Sequence, residues 1–458
     1  MRDLSPVAVR SRLFHIATVV PLVGLVAVAC WRARADDAKK PEPERRLAIG
    51  QCVSQAGVLL QRQGPDKEWQ SVGPLDAVHS RDLLLALPGT RAVFTTDNGA
   101  VRVALWGSTP KLSDGMTLES AIVTHANPKR DLDFTLDRGR VVFTNRKDKG
   151  AATVRVRARD EVWDLELKEP GATVAAELVG RWGKGTPFRI KPKKGEEPTN
   201  AVVILILKGT VVLKTAEAEH LMKPPPGAAY FHWDSVVGGD QAPQPTDNLP
   251  KWADAETAFK PEAKAIRKIF EPFRQRLKDK AASVALGELL ASADRAADKL
   301  QAADTRRLAV YSLGAVDDLS GLLDALSNAK NAEVRDTAVE TLRHWIGRRP
   351  GQDQELYKFL KDNKKYSAEH AAILLYLLHS HSDVQLTQPE TYDLLIRYLR
   401  HDKMPIRVLA QWHLYRLVPG ARDIAYDPAG SPAERERAYK EWKKLVPDGE
   451  LPKKPREK

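Results

Sequence analysis

The sequence predicts a multidomain chain, with an all-β N-terminal half built as a sandwich or a stacked β-solenoid and an all-α solenoid as its C-terminal half. Three observations predict it. Residues 91–106, RAVFTTDNGAVRVALW, set two alternating apolar runs about Asn98-Gly99, a strong short-range hairpin signal. After Trp252 the apolar period changes from two to 3.6, and Ala and Leu become frequent. Beyond that point one residue pattern recurs at intervals that fit a two-helix unit. A chain of 458 residues is also too long for a single core.

Arg2, Arg10 and Arg12 precede an apolar run over residues 13–31, broken only by His15, Thr18, Pro21 and Gly24. This is an export signal: Ala33-Arg34-Ala35 offers an A-x-A cleavage site before Asp36. The run is equally long enough to span a bilayer, with Trp31 and Arg32 placed as an interfacial anchor. Residues 1–35 are therefore a cleaved signal peptide or a retained anchor. Either way they insert in the membrane at least transiently, and positive charge ahead of the run keeps that end inside. The remainder is exported, to the periplasm or the outer side of the inner membrane. Residues 36–48, opening DDAKKPEPERR, are a charged tether.

Residues 49–222 read as the β domain. Strands are expected over 58–61, 69–72 and 82–86, then at the hairpin, whose register sets Thr96 opposite Val101, Phe94 opposite Val103 and Ala92 opposite Leu105. A type I′ turn would place both Asn98 and Gly99 at positive φ. A second hairpin is expected at Arg159-Asp160, with Val156 against Trp163, Val154 against Leu165 and Arg155 against Asp164. Further strands are expected over 134–144, 172–178 and 202–213, the last bent at Gly209. Pro224-Pro225-Pro226 and the stretch GGDQAPQPTDNLP mark residues 223–252 as a linker.

Gly57-Val58-Leu59, Trp69, Asp82-Leu83, Gly89, Ala92-Val93-Phe94 and Asp97-Asn98-Gly99-Ala100-Val101 resemble the FecR-type β domain, with its G-x-V start, Trp, D-x-L and closing D-x-G hairpin. The resemblance implies an exported β module of the kind found in periplasmic sensors. Such sensors relay a receptor's state to a cytoplasmic sigma factor through one membrane helix. Only twelve residues precede Leu13, which favours an exported binding or scaffold module over direct sigma-factor control.

Residues 253–446 form the helical half. Arg335, Ala338 and Leu342 set a pattern repeated by Arg306, Ala309 and Leu313, by Glu369, Ala372 and Tyr376, by Arg407, Ala410 and Leu414, and by Arg435, Ala438 and Trp442. Alanine and the bulky residue four positions on share a helix face, so one lets a neighbouring helix approach while the other fills the gap. LLDALSNAKNAEVRDTAVETL and LLIRYLRHDKMPIRVLAQWHL resemble HEAT repeats, which implies stacked helix pairs with a concave face for a protein partner. The arginines are expected to make an inter-repeat hydrogen-bond ladder. Residues 447–458 are a disordered basic tail.

The sequence offers no catalytic, cofactor-binding or metal-binding residues, and no cofactor is expected. Gly183-Lys184-Gly185-Thr186 hints at a phosphate loop, but Leu178 stands where the first Gly belongs. His379 and His381, with His370, His401 and His413, could gather a metal ion, but no Cys partners lie nearby and the Ser-rich setting suits a helix end, so they read as solvated surface histidines. Trp69, Trp106, Trp163, Trp182 and Trp233 are expected to pack in cores rather than line a sugar groove. Net charge is +12, but basic and acidic residues are interspersed, which argues against nucleic acid. Cys30 and Cys52 make no disulfide framework. These readings point to an exported, non-enzymatic scaffold or sensor whose helical repeats bind a protein partner. The alternatives are a cell-wall or polysaccharide binding module, which would grip cell-envelope polymer, and a membrane-anchored regulator of a sigma factor.

Overall fold

The computed structural model describes residues 46–109, 117–238, 241–253, 261–293 and 299–453. The expected signal or anchor and most of the tether lie outside the described residues. Among those described, no helix is long and apolar enough to cross a membrane. From Leu47 onward the chain is one compact unit, strands first and helices after.

In chain order the strands are β1 (Ala48–Cys52), β2 (Leu59–Arg62), β3 (Gln70–Val72), β4 (Ala77–His79), β5 (Leu83–Ala86), β6 (Arg91–Thr96), β7 (Val101–Trp106), β8 (Ser120–His125), β9 (Leu132–Asn145), β10 (Ala152–Ala158), β11 (Glu161–Leu167), β12 (Thr173–Arg181), β13 (Thr199–Lys208), β14 (Val211–Lys214), β15 (Glu219–Met222), β16 (Ala228–Asp234) and β17 (Gln244–Pro245). They form two layers that share β9. One layer runs β4-β1-β6-β7-β9-β12-β13-β16-β17. The other runs β3-β2-β5-β8-β9-β10-β11-β14-β15. Among the described strands only β9 and β10 pair in parallel, so the half is a sandwich and not a solenoid of parallel coils.

Strand β9 changes layer at Gly139. Its first half pairs with β8 and its second with β7 and β12. Gly139 has φ 78°, and a Cβ there would stand 2.0 Å from the carbonyl oxygen of Glu119, so only glycine fits the crossover. Alternating side chains fill the space between layers: Phe134 and Phe143, from the two halves of β9, meet edge to face at 5.9 Å, as do Trp163 and Phe231.

Both expected hairpins form in the expected register, including Phe94 against Val103 and Val156 against Trp163. The first turn differs from the type I′ expectation. Gly99 takes φ 67° and its N–H donates to Thr96 O, whereas Asn98 is not among the positive-φ residues. The Asn98 carboxamide oxygen accepts the Ala100 N–H and the Thr96 hydroxyl instead, so a local side-chain turn does what two left-handed residues would have done. The expected linker also carries structure. Ala229, Phe231 and Trp233 alternate inward along β16, which pairs with β13, and Trp252 packs edge to face on Trp106 at 6.5 Å. Burial of these aromatics outweighs the turn-forming composition around them.

Eleven α-helices follow among the described residues: α1 (Pro261–Asp279), α2 (Ala282–Ala293), α3 (Lys299–Ala315), α4 (Leu319–Leu326), α5 (Ala332–Gly347), α6 (Gln352–Asp362), α7 (Ala368–Leu378), α8 (Asp383–Leu386), α9 (Pro389–Tyr398), α10 (Met404–Leu417) and α11 (Pro432–Leu445). Side-chain caps set several starts: Asp318 accepts the Gly321 N–H, and Ser431 forms a capping box with Glu434. The five copies of the repeated pattern fall on α3, α5, α7, α10 and α11. Helices α3, α5, α7 and α10 contact one another in succession. Ala309, Ala338, Ala410 and Ala438 are buried, as close helix approach requires. The arginines act partly within their own units. Arg335 donates to Asn328 O at 2.9 Å, and Arg407 to His401 O and Asp402 O at 2.6 and 2.9 Å, each closing the turn before its helix. Arg306 reaches onward to Glu333 at 2.9 Å. Beyond α11, the Gly449 N–H donates to Asp393 at 3.2 Å, so the start of the expected tail is held down.

The two halves are joined through the outer face of the second layer. Leu60, Trp69 and Leu85 pack into the same cluster as Phe270, Phe273 and Leu308, and Trp69 Nε1 donates to Val316 O at 3.0 Å. Beside this apolar seam lies a buried charge network. Arg138 Nε and Arg348 Nη2 both reach Glu119 Oε1, at 2.9 and 2.7 Å. The same two arginines donate to Ala315 O and Gly314 O, the last carbonyls of α3. Asp317, at φ 60°, takes Arg348, Arg62 and the Trp345 N–H. Burial would raise the Glu119 carboxyl, but Arg348 first, then His344 and Arg138, outweigh it and hold it well below the usual carboxylate range.

Close contact completes the seam at Gly180, where a Cβ would lie 2.5 Å from both Gly347 O and Arg348 O. Gly180→Ala is therefore expected to push β12 off α5 and destabilise the chain by roughly 1–3 kcal/mol, read as a lower urea midpoint; an unchanged midpoint would mean the approach is looser than described.

Candidate functional site

A cleft opens where this seam meets the repeats. The fifth residue after the first position of the repeated pattern is Tyr311 on α3, Glu340 on α5 and Trp412 on α10. Equivalent positions on successive helices put these side chains in one row. The Tyr311 hydroxyl donates to Glu340 Oε2 at 3.0 Å, and Arg416 Nη2 approaches Glu340 Oε1 at 3.7 Å. Arg416 lies 3.7 Å over the Trp412 ring and Arg343 lies 4.9 Å from the same ring.

The opposite wall comes from the sandwich. The end of β12 brings Gly180, Arg181 and Trp182 to the cleft, and the chain after it crosses the helices as a strap. Trp182 Nε1 donates to Ile346 O at 3.0 Å, Thr186 O lies 3.0 Å from His379 Nδ1, and Gln354 Nε2 donates to Arg189 O at 2.8 Å. Leu118, Ile346 and Leu378 make the apolar lining, and the half-open cleft holds about 260 Å3.

Arg343 is the cleft's most constrained charge. It donates to Leu378 O at 2.6 Å, His379 O at 3.1 Å and Ser380 Oγ at 2.8 Å, closing the C-terminal end of α7. Burial, and secondly the Arg416 charge, bring its guanidinium down to about 10. The buried Trp412 N–H has no hydrogen-bond partner among the described residues. Ser380 Oγ is taken by Arg343 and His379 Nδ1 faces Thr186 O, so these neighbours do not form a nucleophile and base pair. The arrangement suits recognition: aromatic walls, an apolar floor and directed polar groups.

The histidines do not gather. His379 lines the cleft, His381 and His413 face each other inside the helical half at 4.8 Å, and His370 meets His401 elsewhere at 4.9 Å. His379, His381 and His413 are buried, contrary to the solvated reading, because apolar helix faces enclose them. Among the described residues no group of three or more His, Cys, Asp or Glu could hold a metal ion. Trp69, Trp163 and Trp233 are buried in packed clusters, Trp106 packs on Trp252, and Trp182 alone of the five reaches the cleft. Lys184 pairs with Asp383 and Gly185 abuts Ser382, so the Gly-Lys-Gly-Thr stretch belongs to the strap. Tyr311, Glu340, Arg343 and Trp412 escaped the sequence reading, although the five-residue offset from the repeat was available to find three of them. Compared with family models, curated proteins and solved structures, the chain matches none, and the cleft's own chemistry is what there is to read.

Proposed function

We propose that the protein is an exported, non-enzymatic scaffold or sensor that docks a protein partner on its helical half, with the cleft between the strap and the α3–α5–α10 row as the docking site. The observation that carries this reading is the cleft itself. Two indoles, a tyrosine and a half-buried arginine converge there, the residue types that dominate binding energy at protein interfaces. The export signal in residues 13–31 supports a partner in the cell envelope.

The test places a photo-crosslinking amino acid at Trp412 in the full chain, in living cells, with the exposed Leu221 on β15 as the control position. A single adduct of defined mass is expected from Trp412 and none from Leu221. Equal adducts at both positions, or none at Trp412, would remove the docking reading.

A further inference from the structure

We infer that the cleft takes a short acidic segment of its protein partner, anchored by one large apolar side chain between Trp182 and Trp412. This rests on the docking reading and adds the chemistry of the occupant. Size suits a side chain. The half-open space of about 260 Å3 lies at the lower edge of the ~300–1,000 Å3 of sites that enclose a small ligand. It is enough for one aromatic anchor, the unit by which protein interfaces concentrate their affinity.

Charge argues for acid. Arg181 and Arg343 line the cleft with one carboxylate, Glu340, and Arg416 lies beside it over the Trp412 ring, near the Asp336 carboxyl as well. Arg416 and Glu340 stand 3.7 Å apart and largely cancel. Asp353, 3.6 Å from His379 Nε2, does not line the cleft. Among the described residues, Arg181, exposed at the end of β12, pairs with no carboxylate, and Arg343 is satisfied by carbonyl and hydroxyl oxygens. The C-terminal end of α7 offsets about half an elementary charge, less than one of these two guanidinium groups carries. The surplus is positive, and it sits where water is partly excluded, so an anion gains more there than on open surface. What answers is an occupant that brings carboxylate oxygens at its flanks and an apolar ring at its centre.

The experiment titrates the full chain into fluorescein-labelled pentapeptides DEWED, KKWKK and DEAED and reads anisotropy. DEWED is expected to bind saturably, about tenfold or more tighter than either of the others, and to weaken as salt rises from about 50 to about 500 mM. Arg181→Glu, at an exposed position, is expected to weaken DEWED about tenfold, and Trp412→Ala similarly, with Trp412→Phe falling between Trp412→Ala and the native chain and keeping the native urea midpoint. Equal binding of KKWKK or DEAED, or indifference of DEWED to Arg181→Glu, would overturn the inference. So would displacement of DEWED by an equal concentration of succinate, which would make the occupant a small carboxylate. A partner crosslinked at Trp412 through a basic or uncharged segment would also overturn it while leaving the docking reading in place.

Discussion

Arg348→Ala is expected to destabilise the chain by about 3–5 kcal/mol, because it leaves the Glu119 carboxylate buried beside the seam with one of its two arginines gone. Glu119 is 1% exposed, so water cannot replace the lost partner. Arg348 also donates to Gly314 O and pairs with Asp317, and the same substitution frees the end of α3 from the sandwich. Removing both charges, Glu119→Leu with Arg348→Leu, is expected to recover part of the loss, since desolvating a charge is costly even when it is paired. Urea unfolding of the native chain, Glu119→Leu, Arg348→Leu and the double variant gives the coupling directly. A single-mutant loss under about 1 kcal/mol would place the network among ordinary surface pairs.

The second large effect is acid lability from His413. Its Nε2 lies 2.6 Å from Leu377 O, and burial, reinforced by His381, Arg343 and Arg416, holds the imidazole down at about 3. Above the ordinary histidine value of 6.5 both folded and unfolded states are neutral, and the residue contributes no pH dependence. As the pH falls from 6.5 toward 3, the unfolded chain takes up a proton that the folded chain refuses, so stability falls with it. At pH 4 the loss is about 3 kcal/mol. His381, lowered by burial and then by Arg343, acts in the same direction. Below about pH 4.5, protonation of Glu119 in the unfolded state adds a further loss, because its folded value is depressed. His413→Gln keeps a donor for Leu377 O and is expected to flatten the stability profile between pH 6.5 and 4.5 while leaving the steeper fall below it. An unchanged slope would mean His413 already titrates in the folded state.

The fold was legible wherever neighbours in sequence carry the decision. Val156 against Trp163 and Arg155 against Asp164 sort onto opposite faces of one hairpin, so register followed from the two-residue period alone. Gly209 was legible as a bend in one strand over 202–213; at φ 78° it instead separates β13 from β14, which pair in different layers. Strand β16 was hidden: its Ala229, Phe231 and Trp233 alternate, but the prolines before and after it signal a linker more loudly than a short alternation signals a strand. The seam was not legible at all. Glu119, Arg138, Asp317 and Arg348 are far apart along the chain, and no spacing rule joins them. The cleft fell between these cases. Tyr311, Glu340 and Trp412 keep a fixed offset within the repeat, but Trp182 and Arg181 reach them only because the sandwich is fastened to the helices.

That fastening is the claim on which the cleft depends, and hydrogen exchange of the full chain across a urea series tests it most directly. Amides of β12 and β13 and those of α5 and α10 are expected to lose protection at the same urea concentration, and Arg348→Ala is expected to bring both midpoints down together. Helical amides that exchange at lower urea while the strands stay protected would show two independently stable halves, and a docking cleft built across them would have no fixed shape.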